Sequence, residues 1–130
     1  MTPPDNVKVI DLAASTIWFD DNGILCSIAK NVPQQNIEQA QAALDELKRI
    51  TGGKKVCMLS DNTASPPVNK EMRDFAAQVI PDLVKAIAII SRSSVGKMAA
   101  NLFFKLKKQP YPVKFFDDEQ AARQWLKQYL

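Results

Sequence analysis

The sequence predicts an α/β fold, in which a mainly parallel mixed sheet of about five strands is led by an N-terminal hairpin and alternates with about four helices. Short apolar runs of strand length alternate with stretches whose apolar residues recur every three or four positions. The pair Asn22-Gly23 separates two strand patterns, and a tight hairpin turn favours that pair. The 130 residues suit one domain, over residues 1–130.

The N-terminal part of the chain is predicted to form strands. Residues 7–12 predict a first strand, because apolar and polar residues alternate at its start. Residues 15–20 are either its continuation or its partner. Residues 24–29 return from the Asn-Gly turn and complete the hairpin. The remaining elements alternate between helix and strand, so we expect parallel pairing and right-handed crossovers after the hairpin.

The clearest predicted helix spans residues 36–51, where one apolar stripe follows the helical period. Asn36 is its predicted N-cap, with Gln39 as the partner in a capping box. The glycines that begin at Gly52 end it. A second helix is expected to start near Asn69 and to end before the next proline.

The remaining strands are short and apolar, and the first two are of the type that is buried on both faces. They are residues 55–59, 85–90 and 113–116. A third helix is expected to start at Ser93 or Ser94. A last helix is expected to start at Asp117, with Gln120 as the matching third residue.

The chain contains no histidine, which excludes an imidazole base, Ser-His and Cys-His nucleophilic pairs, and histidine metal ligands. Cys26 and Cys57 lie in apolar strand patterns and are predicted to be reduced core thiols. We therefore expect no cofactor, no metal and no enzymatic activity. An enzyme would have to use Asp61 with Arg92, or a pair of carboxylates.

The N-terminus lacks the apolar core of a signal peptide, and no apolar run approaches the ~20 residues that span a bilayer. These features predict a soluble protein of the cytoplasm.

Charge is uneven along the chain. Residues 83–116 contain seven basic residues and no acidic ones, whereas the first fifty residues contain seven acidic and four basic ones. This asymmetry indicates either an anionic partner or a solvated basic face that is balanced elsewhere in the fold. Nucleic acid is not expected, because few aromatic residues accompany the basic block and no recognition-helix motif is present.

The predicted third helix has a broad apolar cluster that includes Phe103 and Phe104 and is flanked by lysines, Lys97 among them. Such a helix can lie on an anionic membrane surface or dock onto a protein partner. The same pattern also suits a helix that covers the sheet, with lysine stems extended along its apolar face. The sequence leaves both interpretations open.

In parallel α/β sheets, ligands bind beyond the carboxyl ends of the strands. Residues 60–65, 91–94 and 116–118 should meet at that edge. The segment that follows the predicted strand at residues 85–90 offers hydroxyls, helix N–H groups and cations, which would suit a small anion. Helix capping alone also explains its serines. The candidate ligand or partner residues are Asp61, Thr63, Ser65, Arg92, Ser93, Ser94, Lys97, Phe103 and Phe104.

The element order at this length resembles the STAS and SpoIIAA-like group of small bacterial domains. The match is more specific over residues 91–104, a strand exit and a long helix. It is also specific over residues 111–126, where a strand, an acidic cap and an Ala-rich turn precede Trp-Leu. The resemblance implies a STAS/SpoIIAA-like fold and a non-enzymatic role in protein interaction, signal relay or the binding of a small or lipid-like ligand.

Anti-sigma factor antagonists of the STAS type carry a phosphorylatable serine directly after an Asp at the start of the second helix. Here Asp61 is followed by Asn62, so the Asp-Ser pair is missing. Thr63 and Ser65 are the remaining phosphorylation candidates, near a helix N-terminus that favours the phosphate charge. Roles in the turn and the cap also explain both residues.

These observations predict a regulatory or binding module that acts through protein–protein interaction, with a homodimer as one possible form. The alternative is a small carrier of an apolar or lipid-like ligand held under the third helix. SpoIIAA-like domains resemble the CRAL-TRIO lipid-binding fold, and this resemblance implies the alternative. A cavity beneath Phe103 would favour the carrier, and a flat apolar patch would favour the partner-binding module.

Overall fold

The computed structural model describes residues 1–66, 68–91 and 109–130. Over these residues the sheet has six strands, each beside its predecessor in the chain. The first three strands pair antiparallel and the last four pair parallel. This mixed sheet confirms the predicted α/β class, with one strand more than expected. The strands are β1 (Ile10–Asp11), β2 (Ser15–Phe19), β3 (Leu25–Ala29), β4 (Val56–Asp61), β5 (Val84–Ile90) and β6 (Val113–Phe116).

The described residues form three α-helices and two 3-10 turns. The helix predicted after Ser94 falls on residues 92–108, which lie outside the described residues. The helices are α1 (Ile37–Thr51), α2 (Lys70–Val79) and α3 (Glu119–Leu126), and the 3-10 turns are Ile80–Asp82 and Lys127–Tyr129.

The β2–β3 hairpin forms as the sequence predicts. Asp20 accepts hydrogen bonds through Oδ1 from the backbone N–H groups of Asn22 and Ile24, each at 2.9 Å. Gly23 has a φ of 81°, in the left-handed region where glycine carries no steric cost. One carboxylate and one glycine therefore fix the turn.

The first predicted strand is shorter in the structure than residues 7–12. β1 pairs with β2 only at Ile10 and Asp11. After Asp11 the chain turns at once, because the N–H of Leu12 donates to the carbonyl of Ser15 at 2.8 Å. Before Ile10 the chain leaves the sheet, and Val7 packs against the core. A local turn therefore ends the strand on one side, and packing of Val7 against the core shortens it on the other.

Local signals set the ends of α1. The Asn36 side chain accepts from the N–H of Gln39, and the Gln39 side chain accepts from the N–H of Asn36, which is the predicted capping box. Gly52 ends the helix in the left-handed conformation, at a φ of 66°. Leu44 is the buried residue of its apolar stripe.

Two predicted boundaries are wrong. β4 continues through Ser60 to Asp61, because its pairing with β5 extends that far. The N-cap of α3 is Asp118, which has extended backbone and accepts from the N–H of Gln120 at 3.0 Å, so the predicted cap at Asp117 is one residue too early. The sequence predicts an apolar face for this helix made of Ala121, Ala122, Trp125 and Tyr129, but Ala121 is exposed.

The sheet is covered on both faces. On one face, α3 buries Ala122 and Leu126 against strand residues that include Trp18 and Leu59. The alternate residues of the same strands, such as Ile17, are buried on the opposite face. Parallel neighbours joined through α1 and α2 need crossover connections, which are right-handed as a rule, and this rule places both helices on that opposite face. The carboxyl ends of β3, β4, β5 and β6 therefore open onto one edge, between the two helical layers.

Candidate functional site

The described parts of the three segments predicted to meet at the carboxyl edge of the sheet do meet there; of residues 91–94, only Ser91 is described. The N–H of Asn62, directly after β4, donates to the carbonyl of Ile90 at the end of β5, at 3.1 Å. The N–H of Ser91 donates to the carbonyl of Phe116 at the end of β6, at 2.9 Å. These bonds align the exits of three neighbouring strands.

Asp61 and Ser60 shape the turn that follows β4. Asp61 accepts through Oδ1 from the N–H of Thr63 at 3.0 Å, which is an Asx turn. Ser60 is buried, and its hydroxyl donates to Oδ1 of Asn62 at 2.7 Å. The candidate Asp61 thus has a structural hydrogen bond, and Thr63 is exposed on the outside of the turn.

Ser65 lies at the border of a cavity of about 160 Å³, which we call the loop cavity. The cavity lies between the β3–α1 loop and the β4–α2 loop, with residues of both helices completing its wall. Its apolar lining includes Val32, Pro33, Ala40, Pro66, Val68 and Met72. The N–H of Ser65 donates to the carbonyl of Asn62 at 3.1 Å, which holds the serine at the cavity.

One hydrogen bond joins the two loops at the loop cavity, and two more hold the segment that leads into α2. Gln34, in the β3–α1 loop, accepts through Oε1 from the N–H of Asn69 at 2.7 Å. The Asn69 side chain in turn caps α2 by accepting from the N–H of Met72 at 2.9 Å. Arg73 of α2 donates through Nη1 to the carbonyl of Val68 at 2.8 Å. The cavity is therefore bounded by segments fixed against each other.

The one cation in the described lining of the loop cavity is already paired. Lys30 donates through Nζ to the carbonyl of Leu12 at 2.7 Å and lies 2.6 Å from Oδ1 of Asp11. The Lys30 ammonium holds the pKa of the Asp11 carboxyl below its usual range. The loop cavity is thus an apolar depression without net charge, and Val68 is 39% exposed beside it.

The carboxylates considered as partners of Asp61 in an enzymatic pair are Asp20, Asp21 and Asp117, and the first of them is far from Asp61. Asp20 lies in the β2–β3 turn, at the amino end of β3, whereas Asp61 pairs with Ile28 near the carboxyl end of that strand. Arg123 of α3 binds Asp20. Asp20 therefore supports the hairpin at the opposite edge of the sheet.

Of the predicted site residues, the structure places Asp61, Thr63 and Ser65 on one loop. The other six lie outside the described residues: Arg92, Ser93, Ser94, Lys97, Phe103 and Phe104. Sequence reasoning missed the contribution of the β3–α1 loop, including Gln34. A proline in each loop after two consecutive strands, Pro33 and Pro66, was the available signal.

Over the described ranges, no group of three or more acidic or cysteine side chains is arranged to hold a metal ion. Within the same ranges, no helix is long and apolar enough to cross a membrane.

A family model described as a domain of unknown function, DUF7793, matches residues 17–130. The chain belongs to this family. No curated protein matches the chain at a significant level. The match leaves residues 1–16, which include β1, outside the family's shared part.

Two solved structures are similar to this chain. One is an uncharacterized protein of the DUF3478 family from Shewanella loihica PV-4, described as having a SpoIIAA-like fold. It is 18% identical, with a TM-score of 0.63 over 97% of this chain and 99% of that one. The other, a protein of unknown function from Arthrobacter sp. FB24, is 24% identical, with a TM-score of 0.31 over 85% of this chain and 97% of that one. The first likeness confirms the predicted STAS/SpoIIAA-like fold.

Proposed function

We propose that this domain is a non-enzymatic binding module that docks a protein partner through the loop cavity and the two loops around it. The observation that carries the proposal is an apolar cavity whose two loops are joined by the hydrogen bond between Asn69 and Gln34, at the edge where parallel α/β sheets bind their ligands. A surface that is fixed before binding loses little entropy when a partner docks.

The size of the loop cavity favours a protein partner. Its volume of about 160 Å³ is below the range of about 300–1,000 Å³ typical of sites for small molecules. It is large enough for one apolar side chain, and protein interfaces are commonly centred on such an anchor. Val68 extends the apolar surface beyond the cavity, because more than a third of it is exposed.

The charges around the loop cavity indicate the chemistry of the anchor. Lys30 is paired with Asp11, so this wall neither attracts an acidic side chain nor repels a basic one. We therefore expect the partner to insert an uncharged residue such as leucine, methionine or phenylalanine.

The absence of histidine and the structural bonds of Asp61 support a role without catalysis. A general acid or base needs a free side chain within hydrogen-bond reach of a substrate. The carboxylate of Asp61 instead closes a turn. A metabolite converted by the purified protein would contradict this part of the proposal.

Photo-crosslinking in the native host tests the proposal. A benzophenone amino acid at Val68 should give one discrete crosslinked protein, because Val68 borders the docking surface. The matched control is the same amino acid at Gln124, which is exposed on α3 across the sheet. A product of twice the subunit mass would identify a second copy of the chain as the partner. No product at Val68, or the same product from both positions, contradicts the proposal.

A negative charge at the loop cavity should weaken docking and would mimic regulation by phosphorylation. Ser65→Glu places a carboxylate beside an apolar wall, where burial without a partner is costly. We expect at least about a tenfold loss of crosslinking yield or affinity. Gln124→Glu is the matched control, because Gln124 is exposed on α3, across the sheet from the cavity and both of its loops. Equal losses from both variants would contradict a role for the cavity.

A further inference from the structure

A second cavity, of about 390 Å³, lies beside the last turn of α1, at the β1–β2 edge of the sheet. We call it the edge cavity. Ile10, Phe19 and Ile50 supply apolar lining, and Lys8 and Arg49 supply two cations. Its volume is within the range of sites for small molecules. It lies at the other end of α1 from the loop cavity, so the two surfaces are separate.

The edge cavity lies beside the part of β2 that β1 does not reach. β1 begins at Ile10, which pairs with Ile17, so among the described strands none pairs with Phe19 on that side. The N–H of Asp20 donates to Ile24 of the hairpin, on the other side of β2. Consecutive residues of an antiparallel strand direct their backbone groups to opposite sides. The N–H and C=O of Phe19 therefore point toward the edge cavity.

The mouth of the edge cavity has more positive than negative charge. Arg49 donates to Glu46 through Nε at 3.0 Å and also through Nη2. An arginine has five N–H donors, so three remain for another acceptor. Arg49 first, and Lys8 more weakly, hold the pKa of the Glu46 carboxyl below its usual range, so Lys8 is close enough to act on the same carboxylate. Two cations against one anion leave a surplus positive charge at the mouth.

We propose that the edge cavity binds a small organic anion with an apolar body, such as a medium-chain or aromatic carboxylate. The apolar body packs against Ile10, Phe19 and Ile50. The carboxylate binds at the mouth to Lys8 and Arg49, with the Phe19 N–H as a backbone donor. A planar carboxylate suits arginine, which presents its donors in a matching fork. This site is independent of the loop cavity and does not rest on the proposed docking of a protein.

Octanoate and 1-octanol form a matched pair of probes, because they share an eight-carbon body and differ in charge. Backbone amide NMR should show that octanoate, titrated to about 5 mM, shifts the amides of Phe19 and Ile50. We expect octanoate to bind at least about fivefold more tightly than octanol. Absence of shifts with octanoate, or shifts confined to residues away from this cavity, would overturn the proposal.

Charge reversal next to the cavity identifies the cations. Arg49→Glu and Lys8→Glu should each weaken octanoate binding at least about fivefold. Lys48→Glu makes the same change of charge one residue before Arg49, on a side chain outside the described lining, and should leave the affinity within about twofold. Equal weakening by Lys48→Glu and Arg49→Glu would mean attraction to the whole surface, and would overturn the site.

Removal of the carboxylate of Glu46 should strengthen octanoate binding, whereas the charge reversals should weaken it. Glu46→Gln frees the Arg49 guanidinium and removes the carboxylate that competes for it. We expect octanoate to bind about two- to fivefold more tightly, with octanol unchanged. A variant that merely perturbs α1 would weaken both probes, and that result would contradict the proposal. Neither outcome affects crosslinking at Val68, so the proposals for the edge cavity and for the docking surface are tested independently.

Discussion

At the scale of single residues, Trp18 is the largest fully buried side chain among the described residues, and it carries an unsatisfied polar group. Its side chain is 1% exposed in the core under α3. Its indole Nε1 is buried and has no hydrogen-bond partner among the residues that the structure describes. An unpaired buried donor costs about 1–3 kcal/mol, which offsets part of the stabilisation from the buried ring.

Trp18→Phe should therefore be milder than its loss of volume suggests. The substitution removes apolar contacts and the unpaired donor together, and we expect a loss of less than about 2 kcal/mol in the free energy of unfolding. Trp18→Ala should cost about 3–5 kcal/mol. Denaturant unfolding measures both values. If Trp18→Phe costs as much as Trp18→Ala, the indole N–H contributes a favourable interaction.

At the scale of elements, one arginine links α3 to the hairpin. Arg123 donates to Asp20 through Nη1 at 2.5 Å, to Glu119 through Nε at 3.1 Å and to the sulfur of Cys26 through Nη2 at 3.5 Å. The Asp20 side chain is 12% exposed and also closes the β2–β3 turn. The same carboxylate thus stabilises a local turn and the docking of a helix.

Arg123→Met should destabilise the protein by about 1–3 kcal/mol, because Asp20 then remains partly buried without its cation. Lys127→Met removes an exposed cation one turn later and should change stability by less than about 0.5 kcal/mol. Thermal unfolding compares the two variants. Equal destabilisation would show that loss of positive charge, rather than the link to Asp20, is responsible.

The sequence predicted the elements whose signals are local. The Asn-Gly turn and the capping box at Asn36 act within a few residues, so both can be recognised without tertiary contacts. The extension of β4 to Asp61 depends on pairing with β5, which no local pattern encodes.

The candidate site was less predictable than the fold. The loop cavity joins residues near Pro33 to residues near Pro66, and only the parallel pairing of β3 with β4 brings these loops together. The edge cavity depends on β1 beginning only at Ile10, after Val7 has packed against the core. The spacing of residues along the chain indicated neither the contact between the two loops nor the start of β1.

At the scale of the whole molecule, the thiols of both cysteines are buried in the core between the sheet and α3. Cys26 and Cys57 are free and buried, on the face that α3 covers. Burial raises the pKa of both thiols, which suppresses the reactive thiolate. Their reactivity therefore reports on opening of the whole structure.

A thiol reagent such as DTNB at about pH 8 should react slowly with the native protein and rapidly with both cysteines in denaturant. The rate without denaturant should follow the unfolding equilibrium, since each thiol must be exposed first. Val9→Cys is the positive control, because Val9 is 41% exposed and a cysteine there should react at once. Fast reaction of a native thiol would contradict the sealed core.

The sequential order of the six strands has a consequence for synthesis on the ribosome. Each emerging strand finds its neighbour already made, so the sheet can grow from the hairpin outward with little search. The helix α3 is different, because Arg123 reaches back across 103 positions to Asp20. The sheet face that α3 covers therefore stays exposed until α3 has emerged, and an exposed apolar face favours aggregation in that interval.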